Sequence, residues 1–448
     1  MKKTLLIAVW ILSCMACLLF APSIQAGPRI EFGDEGGYIQ LDLKTQVYIE
    51  NTDFGSGPAG TDDRTDIHFQ RNRLSITGMV DETWGMKFQT CGNPGTTKSP
   101  VGYSFSPVND SNDRDVRIID AYAIGNFSEA VNMKLGLTKI PLSRANLDDC
   151  FAPLSLDRSM FVYMPFGGSA IKFTRDTGLL FWGSFVGEKL KYWVAALEGR
   201  EGVFKWSAPG QITLPLPATA TSSPEPNSNL EYVARLHYAF LDPEPGSGYV
   251  GTYFGKKKIL TIGVGAAYEK AAVYSQVTYS ALNDRSTLTT QDAADYTAYA
   301  ADLMFEYPFP FGVVTIDGQY LKIDFDNAYK TNANPADRNT IIAGINGQKD
   351  GGYGKLAYLL PMTVGKEGKL QPYVLYERWH FAHLLGVNDQ KIEQKGAGIN
   401  YYIKGQSVRT TLEYLDTEFD TATTLFSITD TTKIKDFRTV RLMFQVQI

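Results

Sequence analysis

An alternation of apolar and polar side chains with a period of two is the feature that most restricts how this chain folds. In residues 38–50, positions 39, 41, 43, 47 and 49 are Ile, Leu or Val, whereas most positions between them carry amide or charged side chains such as Lys44 and Glu50. Successive side chains of a β-strand point to opposite faces, so this pattern predicts a strand with one apolar and one polar face. It recurs as far as residues 440–448 and predicts an all-β protein.

The predicted strands are joined alternately by short turns and by long polar loops. Short connections fall at 81–83 and 404–406, and long ones at 92–115 and 139–176. Counting in this alternation gives about sixteen strands. They lie near residues 38–50, 67–80, 84–91, 116–126, 130–138, 177–186, 190–199, 230–239, 259–268, 296–307, 313–324, 351–360, 369–381, 392–403, 407–417 and 436–448. We therefore predict a transmembrane antiparallel β-barrel with short periplasmic turns and long extracellular loops, since a closed barrel pairs every backbone N–H and C=O within lipid.

Residues 1–26 have the organisation of a secretory signal peptide. Lys2 and Lys3 precede an apolar stretch, and a small-residue cleavage site ends at Ala26. We expect residues 27–448 to form the mature barrel, with an uncleaved membrane anchor as the alternative. A secreted β-sandwich, with its apolar faces turned inward, is the soluble alternative. The export signal, the loop asymmetry and the aromatic residues near strand ends, such as Tyr268 and Tyr307, favour the barrel.

Charge and motif content exclude several function classes. A net charge of −5 argues against nucleic-acid binding, which needs a basic face. The sequence contains no G-x-S-x-G, no H-E-x-x-H and no C-x-x-C-H motif, so we predict neither an enzyme nor a cofactor or metal site. Outside the signal peptide the cysteines are Cys91 and Cys150, which either form a disulfide or remain free thiols, because geometry decides between the two.

Several segments resemble one known family. They are Arg71-Asn-Arg-Leu-Ser-Ile-Thr-Gly78, Trp84-Gly-Met-Lys-Phe-Gln89, Ile119-Asp-Ala-Tyr122, Leu135-Gly-Leu-Thr-Lys-Ile-Pro-Leu-Ser-Arg144, Asp157-Arg-Ser159 and Thr177-Gly178. In these segments the chain is similar to the phosphate-selective outer-membrane porins of the porin O and P family. The resemblance implies a sixteen-stranded, usually trimeric barrel in a Gram-negative outer membrane. It also implies that a third long loop, here 139–176, folds inward to narrow the pore.

The candidate functional residues are charged groups predicted to face the lumen or to lie on that loop. On the strands, the predicted pore-lining basic residues are Lys44, Arg71, Arg73, Lys87, Arg117 and Lys134. On the loop, the predicted constriction residues are Arg144, Asp148, Asp149, Arg158, Lys172 and Arg175. Arg71 and Arg73 share one face, where they either contact anions through charge-assisted hydrogen bonds or bridge to lumen carboxylates. Because Asp42, Asp302, Asp317 and Glu413 also have lumen-facing parity, the charge preference stays open.

Two functions fit a barrel of this size. The first is passive diffusion of ions and small polar solutes, with an anion or phosphate preference if basic residues dominate the lumen. The second is a sleeve that houses a multihaem cytochrome partner in an electron conduit. A porin is expected to have a lumen narrowed by residues 139–176, whereas a sleeve is expected to have a lumen free of loops.

Overall fold

The computed structural model describes residues 27–53, 63–92, 116–162, 174–199, 229–279, 288–326, 347–384, 387–423 and 433–448. The strands are β1 Arg29–Phe32, β2 Gly37–Asp53, β3 Asp63–Met79, β4 Trp84–Gly92, β5 Val116–Asn126, β6 Asn132–Lys139, β7 Arg175–Phe185, β8 Leu190–Leu197, β9 Glu231–Ala239, β10 Ile259–Tyr279, β11 Leu288–Phe309, β12 Gly312–Asp324, β13 Lys349–Leu359, β14 Lys369–Leu384, β15 Val387–Gln406, β16 Val408–Thr423 and β17 Ile434–Gln447. From β2 onward each strand pairs antiparallel with the next, and β17 pairs with β2. The fold is therefore a closed barrel of 16 strands.

The sixteen predicted strands correspond one to one with β2–β17, which confirms the predicted fold. The differences lie at the loop ends. Residues 269–295, which separate the predicted strands 259–268 and 296–307, were expected to form a long loop; this is wrong, because β10 continues to Tyr279 and β11 begins at Leu288. Beyond the lipid the outward face of a strand no longer has to be apolar, so strands continue there without the alternation that reveals them. The short β1, which pairs with the start of β2, was not predicted, and residues 1–26 lie outside the described part of the chain.

The outward face carries an apolar band with aromatic residues at its edges. At the turn end, Trp84 and Phe127 are about half exposed and their rings meet edge to face at 5.2 Å. Toward the loop end, four outward tyrosines are each followed by a charged residue two positions further along the strand. These pairs are Tyr268 and Lys270, Tyr320 and Lys322, Tyr376 and Arg378, and Tyr414 and Asp416. Aromatic residues at the edges of an apolar band are typical of barrels that cross a membrane.

The inward face is not uniformly polar, which differs from the expected polar lumen. Trp379 and Phe381 on β14 are almost completely buried inside the barrel. Their rings lie 5.9 Å and 5.8 Å from that of Phe161, which belongs to the connection between β6 and β7. An apolar side chain can face the lumen here because part of this connection covers it. No helix in the described ranges is long and apolar enough to cross a membrane.

Candidate functional site

Residues 140–162, here called the inward loop, fold into the barrel from the end that carries the long connections. Ile140, Leu142 and Leu156 are completely buried, although they lie outside the strands. The loop contains one short helix, α1, at Arg144–Leu147, where the Ser143 side chain accepts a hydrogen bond from the backbone N–H of Asn146. Ser is a favoured residue at the N-cap of a helix, since it satisfies one of the free N–H groups there.

Side chains of the β13–β17 wall satisfy the backbone of the inward loop. Arg409 donates to the carbonyl oxygens of Pro153, Ser155 and Leu156 at 2.9–3.2 Å. Asn400 donates to the carbonyl oxygen of Leu154 at 2.8 Å. Buried backbone groups are costly unless they are paired, so these bonds fix the loop against this wall.

A cavity of about 360 Å³ lies between the inward loop and the wall formed by β2–β8. Its lining is mainly polar. The charged residues in the lining are Asp42, Lys44, Arg73, Lys87, Asp120, Lys134, Lys139, Asp149 and Arg175. Six of these nine groups are basic and three are acidic. Four of the six predicted pore-lining residues, Lys44, Arg73, Lys87 and Lys134, are therefore brought together here.

Two of the six cations are neutralised by carboxylates within the cavity. Lys44 Nζ lies 2.9 Å from Asp149 Oδ2. Arg175 Nε lies 2.8 Å from Asp120 Oδ1. Asp120 was not among the predicted residues, although it lies within the quoted motif around Tyr122. These two ion pairs contribute nothing to the net charge of the cavity lining, because each contains one positive and one negative group.

The other four cations have no carboxylate partner within 4.0 Å among the described side chains. Lys134 donates to the Ser247 hydroxyl at 2.9 Å. Lys139 donates to the backbone oxygens of Leu147 and Asp148 at 3.0 Å and 2.7 Å. The side chains of Arg73 and Lys87 form neither an ion pair nor a hydrogen bond within the described ranges. Set against Asp42, these four groups leave the cavity with a formal excess of three positive charges.

The wall that carries the basic residues of the cavity, here called the basic wall, contains a row of paired positions on strands β2–β5. Lys44 on β2 pairs with Arg73 on β3, Arg73 pairs with Cys91 on β4, and Cys91 pairs with Arg117 on β5. The side chain of Arg117 lies outside the described part of the structure. Cys91 and Cys150 are both buried and are free thiols in the structure. The row shows that β-register, more than loop placement, assembles the basic side of the cavity.

The remaining candidate residues lie elsewhere. Arg71 is buried beneath the inward loop, where its Nη2 lies 2.6 Å from Asp157 Oδ2, so it bridges to a carboxylate and does not line the cavity. Arg158 donates to the carbonyl oxygen of Ala145 at 3.1 Å. Arg144 is fully buried and its guanidinium makes a bidentate pair with Glu244 at 2.8 Å. Lys172 lies outside the described residues.

Two neighbouring loop carboxyls have opposite pKa shifts. Burial and the nearby Asp317 carboxylate raise the pKa of Asp148 to about 7, in opposition to the charges of Arg144, Arg158 and Lys139. Burial acts in the same sense on Asp149, but the charges of Lys44, Lys139 and Arg73 outweigh it and hold the pKa of that carboxyl below its usual value. Asp149 is therefore ionised at neutral pH, whereas Asp148 is close to its midpoint.

Raising the pH from 6 to 8 is expected to shift the ion selectivity of the cavity away from anions and toward cations. With its pKa at about 7, Asp148 is mainly neutral at the lower pH and mainly ionised at the higher pH, so a negative charge appears beside the cavity. The measurement is the reversal potential across a planar bilayer under a KCl gradient at both pH values. The shift should be smaller in Asp148→Asn, and an equal shift in both proteins would contradict this role for Asp148.

Comparison with known proteins agrees with this geometry. The model of the family described as phosphate-selective porin O and P matches residues 39–448. An uncharacterized protein of Aquifex aeolicus is 22% identical over 397 residues, covering 86% of this chain and 79% of that protein. The crystal structure of the outer-membrane channel DcaP of Acinetobacter baumannii is similar with a TM-score of 0.51 at 15% identity, covering 95% of this chain and all of that one. The fold and the family indicate a channel of the Gram-negative outer membrane rather than an enzyme. The chain thus belongs to the phosphate-selective porin O and P family.

Proposed function

We propose that this protein is a diffusion channel that prefers anions, and that solutes pass through the cavity beside the inward loop. The observation that carries the proposal is the excess of basic groups, because Arg73, Lys87, Lys134 and Lys139 have no carboxylate partner while Asp42 is the one unpaired acid in the described lining. A lumen lined by one sign of charge attracts the opposite ion and repels the like ion. Lys and Arg also donate several strong hydrogen bonds to the oxygens of phosphate.

The test is the reversal potential of the refolded mature protein in a planar bilayer under a KCl gradient. We expect steady conductance steps and a reversal potential of the sign that results when chloride is more permeant than potassium. Added phosphate should lower the chloride conductance if the same cations hold it. A cation-selective reversal potential, or a folded barrel without conductance, would overturn the proposal.

The inward loop supports this function over that of a sleeve for a haem protein. A sleeve needs a lumen wide enough for a second protein, whereas residues 140–162 cross this lumen and bind its wall through Arg409 and Asn400. The multihaem partner therefore finds no support in this geometry, and the partners that we propose are lipid and small solutes.

We also propose that the chain is exported through the signal in residues 1–26 and assembles as a homotrimer. Strands β4–β9 have 8–11 residues, whereas β10 and β11 have 21 and 22. The outward positions of β5 include Ala121, Ala123 and Gly125, which give this shorter wall a flat surface. A flat wall with small side chains allows close approach of a second barrel, as in other interfaces within lipid.

A further inference from the structure

A second connection enters the lumen, from the opposite end. Residues 240–258, here called the lower segment, join β9 to β10 at the end of the barrel that carries the short turns. The segment contacts the inward loop through its backbone. Tyr249 forms a parallel β-bridge with Asp148, and Asp149 N–H donates to the carbonyl oxygen of Tyr249 at 3.0 Å. Gly251 N–H donates to the carbonyl oxygen of Ala152 at 2.7 Å.

A buried ion pair joins the same two segments. Glu244 of the lower segment is fully buried and accepts two hydrogen bonds of 2.8 Å from the guanidinium of Arg144. Its oxygens also accept from the hydroxyls of Tyr253 and Thr261 at 3.0 Å and 3.1 Å. Arg144 donates further to the carbonyl oxygen of Val250 at 2.9 Å. Every strong partner of the Arg144 guanidinium thus lies on or beside the lower segment.

The ring of Tyr249 fills the space between the inward loop and the barrel wall. The guanidinium carbon of Arg144 lies 4.5 Å from the ring centroid, and that of Arg235 on β9 lies 5.5 Å from it. The His237 ring stacks on Tyr249 at 5.4 Å, and the Tyr249 hydroxyl lies 2.9 Å from His237 Nδ1. The ring therefore connects a loop arginine to two residues of the wall.

The lower segment is itself fixed to the wall. The Glu306 carboxylate accepts from the backbone N–H groups of Tyr253 and Gly255 at 2.9–3.0 Å. Lys191 donates to the carbonyl oxygens of Glu244 and Gly246. These contacts fix the segment to the wall without involving the inward loop.

We propose that the lower segment positions the inward loop from the turn end of the barrel, with Glu244 as the positioning residue. The pathway described above is then shaped by two segments from opposite ends, and Ser247 and Tyr249 of the lower segment line it directly. The inference rests on the proposed channel function, because the position of the inward loop matters only if solutes pass beside it. The contact between the two segments can be tested without measuring ion conductance.

Gly251 provides a test that leaves every charge in place. A Cβ at Gly251 would lie 2.1 Å from the backbone nitrogen of Leu154 and 2.6 Å from the carbonyl carbon of Pro153. The alanine variant therefore forces the two backbones apart. Gly248 in the same segment is the matched control, since its Cβ would meet the carbonyl oxygen of Leu147 at 3.4 Å, an ordinary contact.

Cys150 reports whether the inward loop is in place. Its side chain is buried two residues after the bridge from Asp148 to Tyr249. We would refold the mature Cys91→Ala protein into lipid vesicles and measure the rate at which a small uncharged maleimide labels Cys150. Glu244→Gln and Gly251→Ala in this background should each raise the rate by about tenfold or more, because local opening exposes the thiol. Gly248→Ala should stay within about twofold of the parent.

Rescue separates positioning from general damage to the barrel. Glu244→Gln removes the bidentate counter-charge of the buried Arg144 guanidinium and leaves only Asp148 Oδ1 at 3.9 Å, whereas Arg144→Met combined with Glu244→Gln removes both members of the pair. The double variant should label more slowly than Glu244→Gln alone. Equal labelling rates in the parent, Glu244→Gln and Gly251→Ala would overturn the inference. A cation-selective parent channel would overturn the proposed function and would leave these labelling results unaffected.

Discussion

Replacing both Arg73 and Lys87 by glutamine is expected to weaken the anion preference of the channel strongly. The side chains of these two cavity cations have neither a carboxylate within 4.0 Å nor a hydrogen-bond partner among the described residues, so no direct partner competes with a passing ion; the Arg73 guanidinium lies 5.3 Å from the Phe151 ring centroid. Their loss leaves Lys134 and Lys139 against Asp42, a formal excess of one positive charge in place of three. Each charge contributes about 1 kcal/mol to an ion about 4 Å away in a water-like medium. The chloride-to-potassium permeability ratio should therefore fall about tenfold or more.

The control for this experiment removes a positive charge outside the lumen. Lys322 faces outward on β12, where it is about half exposed and lies 3.1 Å from Asp324. Lys322→Gln should leave the reversal potential unchanged. Dilute KCl is the appropriate electrolyte, because the Debye length is only about 3 Å at 1 M salt and about 10 Å at 0.1 M. An unchanged permeability ratio in the double variant would mean that ions take another route through the barrel.

The strands were predictable because each one lies between two different environments. Within the lipid band, a residue such as Ile262 faces hydrocarbon and its neighbour Thr261 faces the lumen, so the sequence must alternate. Above this band the outward face no longer has to be apolar, so the alternation that would have located the ends of β10 and β11 is not required there. The basic wall was predictable for the same reason, since parity alone places Lys44 and Arg73 inside the barrel.

The residues held by loops could not be placed in this way. Parity gives Arg71 and Arg73 the same face, but only the path of the inward loop decides that Arg71 meets Asp157, 86 positions away in sequence. The sequence around Glu244 matches no motif that would have marked it as a functional residue. The one signal for it was the length of the connection 240–258, which is unusual for a short-turn side. Contacts between segments that enter the barrel from opposite ends depend on tertiary packing, so the alternation of apolar and polar side chains along the sequence does not reveal them.

Asp302→Asn is expected to destabilise the barrel by about 3–5 kcal/mol, because it leaves a buried guanidinium without its counter-charge. Arg235 is 1% exposed, and its Nη1 and Nη2 lie 2.6 Å and 2.8 Å from the Asp302 carboxylate, which also accepts from the Arg144 backbone N–H at 3.0 Å. Guanidinium unfolding of the barrel in lipid vesicles, followed by tryptophan fluorescence, measures the change in the free energy of unfolding.

Asp416→Asn is the matched control for Asp302→Asn, since it removes the same group from an ion pair on the outer surface. Asp416 lies 3.8 Å from Arg438, and both side chains are about half exposed. Such pairs contribute about 1 kcal/mol or less, because water already solvates both charges. Replacing Arg235 by Met in the Asp302→Asn background should recover part of the lost stability, since no uncompensated charge then remains. If Asp302→Asn and Asp416→Asn unfold at the same denaturant concentration, the buried pair does not stabilise the lumen wall, and the positions of Arg235 and Arg144 must depend on the packing of Tyr249 instead.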